Sequence, residues 1–173
     1  EAIDADGKAK PLRFTLAKAD ATLGSALTIP VEDTPSVLRI RYHTSPQASG
    51  LQWMAPALTA NKLHPFMFSQ SQAIHARSWV PLQDTPSVRF TYTAHLSVPK
   101  ELRAVMSADN DAKHPLDGDF DFIMKQPIPS YLMAIAVGDI AVKETGPRTA
   151  IYAEPSVVDK AAKEFEDTEK MIE

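Results

Sequence analysis

The chain has 173 residues, a formal net charge of -4, 14 prolines and no cysteine. That length suits one well-buried domain, or a domain with part of the next. The acidic balance leaves no basic footprint for nucleic acid, and the missing thiols exclude disulfides and thiolate metal sites without fixing the compartment.

No apolar run approaches the roughly 18 to 20 residues of a membrane span, and the proline content favours short elements joined by turns over a helical bundle. There is neither a signal peptide nor an initiating Met, so Glu1 reads as a cut or processed end. Over residues 1–30, Leu12, Phe14 and Leu16 alternate on one face and Leu27 with Ile29 on another, with Gly7 and Gly24 as turn residues; this predicts short strands. Asp33-Thr34-Pro35-Ser36-Val37 recurs as Asp84-Thr85-Pro86-Ser87-Val88. Asp and Thr can bond nearby amides while Pro fixes φ, so both copies punctuate the start of a strand. Nothing else repeats between the two segments, which favours convergent turn chemistry over duplication.

After the first copy Leu38, Ile40 and Tyr42 alternate with Arg39, Arg41 and His43, the pattern of a half-buried strand. Thr44 to Pro65 reads as loop with one short strand at Leu51 to Met54, where Trp53 is expected in the core. Val88 to Val98 holds period two without a break and is the clearest strand. Leu102 to Ser107 and Phe120 to Lys125 are further strands, predicted to form a hairpin closed by the polar Asp109 to Gly118 loop. Tyr131 to Val137 is nearly all apolar, so it should be covered on both faces, with Asp139 to Lys143 continuing it. Thr149 to Ala153 is a last strand. The period then changes: Glu154-Pro155-Ser156 opens a helix with an apolar stripe of Val158, Ala161, Ala162, Phe165 and Ile172. Lys160 with Glu164, Lys163 with Asp167 and Glu166 with Lys170 sit at i,i+4, worth about 0.2 to 0.5 kcal/mol each.

The stretch from Phe66 to Pro86 reads as a site. Gln70 and Gln72 lie at i and i+2, on one face of an extended segment, so both can point into one cavity. A primary amide offers two donors and one acceptor, which suits an ammonium, a carboxylate or a peptide group. Phe66, Phe68, Trp79 and Pro81 would supply an apolar wall. On spacing alone the alternative is that both amides face solvent from an edge strand.

Other chemistry finds little footing. His43, His64, His75, His95 and His114 show no i,i+4 pair and no H-E-x-x-H. Ser69, Ser71 and His75 lack a Gly-x-Ser-x-Gly elbow and an orienting carboxylate. Asp117, Asp119 and Asp121 alternate around Gly118 but without the calcium loop and its terminal Glu, so a turn and strand edge is the better account.

Several blocks occur in one order: Leu51-Gln52-Trp53-Met54, His64-Pro65, Phe68-Ser69-Gln70-Ser71-Gln72-Ala73-Ile74-His75, Gln83-Asp84-Thr85-Pro86-Ser87-Val88, Val98-Pro99-Lys100-Glu101-Leu102, Pro127-Ile128-Pro129-Ser130-Tyr131-Leu132, Val137-Gly138 and Gly146-Pro147-Arg148-Thr149. From Leu51 onward the chain resembles the amino-terminal domain of zinc aminopeptidases, in the leukotriene hydrolase and aminopeptidase B branch. The resemblance implies a mainly β fold, a saddle or sandwich of mixed strands over 1–153, with residues 154–173 a helix leading toward a catalytic domain outside this chain. It implies a parent enzyme in which zinc activates water and a Glu acts as base. Neither H-E-x-x-H nor the family's Gly-x-Met-Glu-Asn segment occurs here, so the fragment alone is expected to hold no zinc and to be inactive. By the same resemblance Gln70, Ser71 and Gln72 form the substrate-binding segment. Gln72 would bond the peptide amine or adjacent carbonyl, Gln70 would lie beside it, and Ser71 would enter through its backbone. Some relatives carry an acidic residue where this chain has Gln72. The rival from another class is a non-enzymatic β-sandwich interaction module, which fold and composition permit equally.

Overall fold

The computed structural model describes residues 1–3, 7–31 and 37–172. The first Asp-Thr-Pro-Ser copy therefore lies outside the described residues. Five two-residue strands come first: β1 (Ala2–Ile3), β2 (Ala9–Lys10), β3 (Thr15–Leu16), β4 (Leu27–Thr28) and β5 (Val37–Leu38). They form two small antiparallel sheets, β2-β1-β5 and β3-β4. Gly7 and Gly24 hold φ of +77° and +75°, a region glycine enters without steric cost, which matches their reading as turn residues. The half-buried strand expected from Leu38 to Tyr42 shortens to Val37–Leu38, and Leu38, Ile40 and Tyr42 are exposed. Among the described residues β5 pairs only with β1, so the alternation there has no second layer to pack against.

The body of the fold is two facing layers. One is a four-stranded antiparallel sheet in the order β6-β7-β11-β9, built from β6 (Leu51–Met54), β7 (Phe66–Ser69), β9 (Arg103–Met106) and β11 (Ile135–Gly138). The other is the long pair β8 (Arg89–Ser97) and β10 (Asp119–Pro129). Burial alternates at every residue of β8, as its period-two sequence demands. Ala104, Met106, Phe120, Phe122, Ile128 and Met133 make the core between the layers, with Tyr92, Ile135 and Val137 packed against it. Burying each of the two phenylalanines contributes on the order of 2 to 3 kcal/mol. The β8/β10 register shifts between Met124 and Ile128. Pro127 falls there and cannot donate to the ladder, which places the bulge.

Three expectations are corrected. Trp53 is not core but 59% exposed: β6 is the edge strand farthest from β9, and the core residues cluster at the β11-β9 side. Leu102 to Ser107 and Phe120 to Lys125 do not pair as a hairpin, because β9 joins β11 and β10 joins β8. The intervening loop crosses between layers, and the Asn110 side chain occupies edge groups of β9, accepting from Met106 N at 3.1 Å and donating to Met106 O at 2.8 Å. The apolar run before Gly138 starts as a short 3-10 turn at Ser130–Leu132, and its predicted continuation is a separate strand, β12 (Ala141–Gly146), paired with β13 (Thr149–Ala153).

The carboxy-terminal helical region is two short helices, α1 (Val158–Glu164) and α2 (Thr168–Ile172), packed on the β12-β13 hairpin. Val158 and Ala162 of the predicted stripe are buried, while Phe165 and Ile172 are exposed. In place of the i,i+4 pairs, Lys170 meets Asp167 at 2.7 Å and Lys143 reaches across from β12 to Asp159. Mainly β, in several sheets with a short helical end, is the fold the sequence led us to expect.

Candidate functional site

The segment carrying the two amides leaves the end of β7. Ser69 Oγ accepts from Ile135 N at 2.9 Å, and Gln70 N donates to Gly50 O at 2.8 Å, adding one bond beyond the β6/β7 ladder. Ser71 is 2% exposed; its hydroxyl accepts from Trp79 Nε1 at 3.1 Å and its carbonyl from His75 N at 2.9 Å. Gln70 and Gln72, on either side, are exposed. Period two therefore survives to this point, with the hydroxyl inward and both carboxamides outward. Among the described residues neither carboxamide has a hydrogen-bond partner, while the main chain beneath them is bonded at Gln70 N and at Ser71 O. The Gln72–Ala73 peptide is cis. Of the expected apolar wall, Phe68 is exposed and in phase with Gln70; Phe66 lies over Gly138, and Trp79 packs on the core.

Beyond the amides the chain makes a tight turn. Ser78 Oγ donates to His75 O at 2.7 Å and accepts from Gly50 N at 2.9 Å, and His75 Nδ1 lies 2.9 Å from Ser49 Oγ. Arg77 has its partner in Asp84. The Asp84 carboxylate, 1% exposed, accepts from Arg77 N at 3.0 Å, from Arg77 Nε at 3.2 Å and from the Ser130 hydroxyl. Arg77 Nη2 also donates to Asp84 O at 2.6 Å. Removing one partner of such a buried pair costs about 3 to 5 kcal/mol. Sequence reading treated Asp84 as turn chemistry; the basic residue seven positions earlier was the available signal.

At the other end of β7, Glu154 clamps the incoming loop: Ala60 N and Asn61 N donate to its carboxylate at 2.8 and 3.2 Å, and Asn61 Nδ2 donates to Asp139 at 2.8 Å. The start of the helical region is thus tied to the chain just before the amide-bearing strand.

The remaining titratable groups are dispersed. His95 pairs with Asp121 at 2.8 Å and Asp119 at 3.5 Å on the outer face of β8-β10, and the Asp121 bond, with both nearby carboxylates, raises its pKa. Asp117 is held below the usual carboxylate range chiefly by the Asp119 backbone N–H, with His114 adding to it. Asp117, Asp119 and Asp121 are thus engaged by His114, Ser97 and His95. Among the described residues no group of three or more His, Asp or Glu is placed to hold a metal ion. A small concavity lined by Arg103, Asn110, Asp111, His114 and Tyr152 lies away from the amides. Arg103 Nε is buried there without a partner, and the space suits about one water molecule. No helix is long and apolar enough to cross a membrane among the described residues.

Residues 4–132 match the family model of the Peptidase M1 N-terminal domain. Leukotriene A-4 hydrolase of Xenopus laevis is 42% identical over 170 residues, covering 95% of this chain and 26% of that protein. Aminopeptidase B of Mus musculus is 44% identical over 119 residues, covering 69% of this chain and 18% of that protein. Native leukotriene A4 hydrolase from Saccharomyces cerevisiae has a similar structure, with a TM-score of 0.81 at 34% identity over 95% of this chain and 26% of that one. The chain thus spans about a quarter or less of the length of these relatives. With the family model matching well over half of its residues, and the fold agreeing, the chain belongs to the Peptidase M1 N-terminal domain family.

Proposed function

We propose that this chain is the amino-terminal domain of a zinc aminopeptidase that removes amino-terminal residues from peptides, and that it forms one wall of the peptide-binding cleft. Gln72 hydrogen-bonds the substrate amine or the adjacent carbonyl, Gln70 lines the pocket beside it, and Ser71 contributes its backbone. The carrying observation is the pair of exposed carboxamides, without a hydrogen-bond partner among the described residues, on a main chain bonded at Gln70 N and Ser71 O. Such a pair can exchange water for a polar ligand without first breaking bonds within the protein, and its supporting chain is already ordered.

The domain binds and orients; proton transfer and the metal belong to the catalytic domain of the parent chain. Family membership supports zinc in that parent, held outside the described residues. A neutral amide is a weak partner for an ammonium, so the charge that attracts the peptide amine comes from that other domain, and Gln72 adds direction. The test is the full-length Gln72→Ala enzyme. KM for peptides should rise, or kcat/KM fall, with zinc content unchanged; unaltered peptide kinetics would count against the reading.

A further inference from the structure

Asp84 is the one charged residue buried among the described residues, and it lies under the turn that supports the amides. Its carboxylate fixes Arg77 through both main chain and guanidinium, and Ser130 holds its second oxygen. Arg77 belongs to the same 3-10 turn as Ala76 and Ser78, and Trp79 comes directly after it. Trp79 Nε1 bonds the Ser71 hydroxyl and His75 N bonds the Ser71 carbonyl. The path from the buried carboxylate to the residue between Gln70 and Gln72 is therefore continuous: Asp84 to Arg77, Arg77 along one turn to Trp79 and His75, and both of these to Ser71.

A buried carboxylate is a costly way to gain stability, since well-packed apolar residues of similar volume often do as well or better. What it offers is direction. Several bonds to one small acceptor group admit one arrangement of the donors, and a fully satisfied polar network specifies that arrangement. We infer that Asp84 is a positioning residue for substrate binding, acting through Arg77 and the Trp79–Ser71 bond to set where the Gln72 carboxamide points. This inference rests on the cleft-wall reading above. It assigns Asp84 no contact with substrate and no proton.

The experiment is a double-mutant cycle in the full-length enzyme, with kcat, KM and zinc content measured for one peptide substrate in Gln72→Ala, Asp84→Asn and the double variant. Each single change should raise KM by about tenfold with kcat altered less than about twofold, the size expected when a binding group is misdirected rather than a chemical one lost. The double variant should resemble the worse single one, because Asp84 acts through a side chain that is no longer there. If the two effects multiply, or Asp84→Asn leaves KM unchanged, the positioning role is overturned while the amide reading stands. If Gln72→Ala alone leaves KM unchanged, the amide reading falls and takes the positioning role with it. Should Asp84→Asn fail to fold, Ser130→Ala removes one bond from the same carboxylate. A raised KM that disappears in the Gln72→Ala background supports the inference, and an unchanged KM overturns it.

Discussion

Trp79 donates its indole N–H to the Ser71 hydroxyl across 3.1 Å, so the residue between the two exposed carboxamides is held from inside the domain. Ser71→Ala leaves that N–H without its acceptor and should cost about 1 to 2 kcal/mol. Gln70→Ala and Gln72→Ala remove exposed groups with no partner among the described residues and should stay within about 0.5 kcal/mol of wild type. Urea unfolding followed by tryptophan fluorescence separates the two classes; equal losses in all three variants would contradict the inward and outward assignment.

Gly138 closes β11 directly against the Phe66 ring, and a β-carbon added there would overlap the ring's edge. Phe66 lies in β7, paired to β6 on one side and bordering β11 on the other, so it has little room to yield. Gly138→Ala should therefore destabilise by about 1 to 3 kcal/mol. In a Phe66→Leu background the same change should cost less, since the two share one contact. A shift of the urea midpoint that is the same in both backgrounds would show that the clash is not with Phe66.

Glu169 anchors α2 to the β12-β13 turn. Its carboxylate takes Arg148 Nε at 2.6 Å, Arg148 N at 3.1 Å and Thr149 Oγ1 at 3.1 Å. The Arg148 side chain, with the Arg148 N–H and Thr149, holds the Glu169 pKa below its ordinary value. A carboxylate lowered in the folded state stabilises fully above its unfolded value, and that contribution is lost as pH falls through the folded one. Amide exchange in α2 should accordingly rise as pH drops from about 5 to about 3, beyond the intrinsic pH dependence of exchange. Glu169→Gln should show faster α2 exchange already at neutral pH and a flatter response to acid. A wild-type profile in that variant would exclude Glu169 as the anchor.

How far the chain could be read without its structure depended on whether a signal was local. The unbroken alternation from Val88 to Val98 needs only one buried face to be right, and β8 follows it residue by residue. Gly7, Gly24 and Gly118 sit at positive φ, and each was legible as a turn because a conformational demand is written at a single position. Strand pairing is not local. Leu102 to Ser107 and Phe120 to Lys125 looked like hairpin partners because a polar loop joined them, yet their hydrogen bonds go to β11 and β8, and no pattern within either segment states that. Trp53, in the strand Leu51 to Met54, was expected in the core, but edge position in the sheet decides its exposure. At the site, the spacing of Gln70 and Gln72 implied one shared face, and both are exposed, the solvent-facing arrangement that the spacing equally allowed. The Asp84–Arg77–Ser130 node was not, since Ser130 is 46 positions from Asp84, and the Asp-Thr-Pro context already accounted for the aspartate as a turn former.

The alternation of Gln70, Ser71 and Gln72 also limits how this segment can change over time. Because a strand reverses direction at each residue, inserting or deleting a single position between the amides would send one carboxamide into the packed interior and bring an apolar or hydroxyl side chain out. Point replacement can retune the pair's chemistry one group at a time, whereas any change in spacing has to come in steps of two.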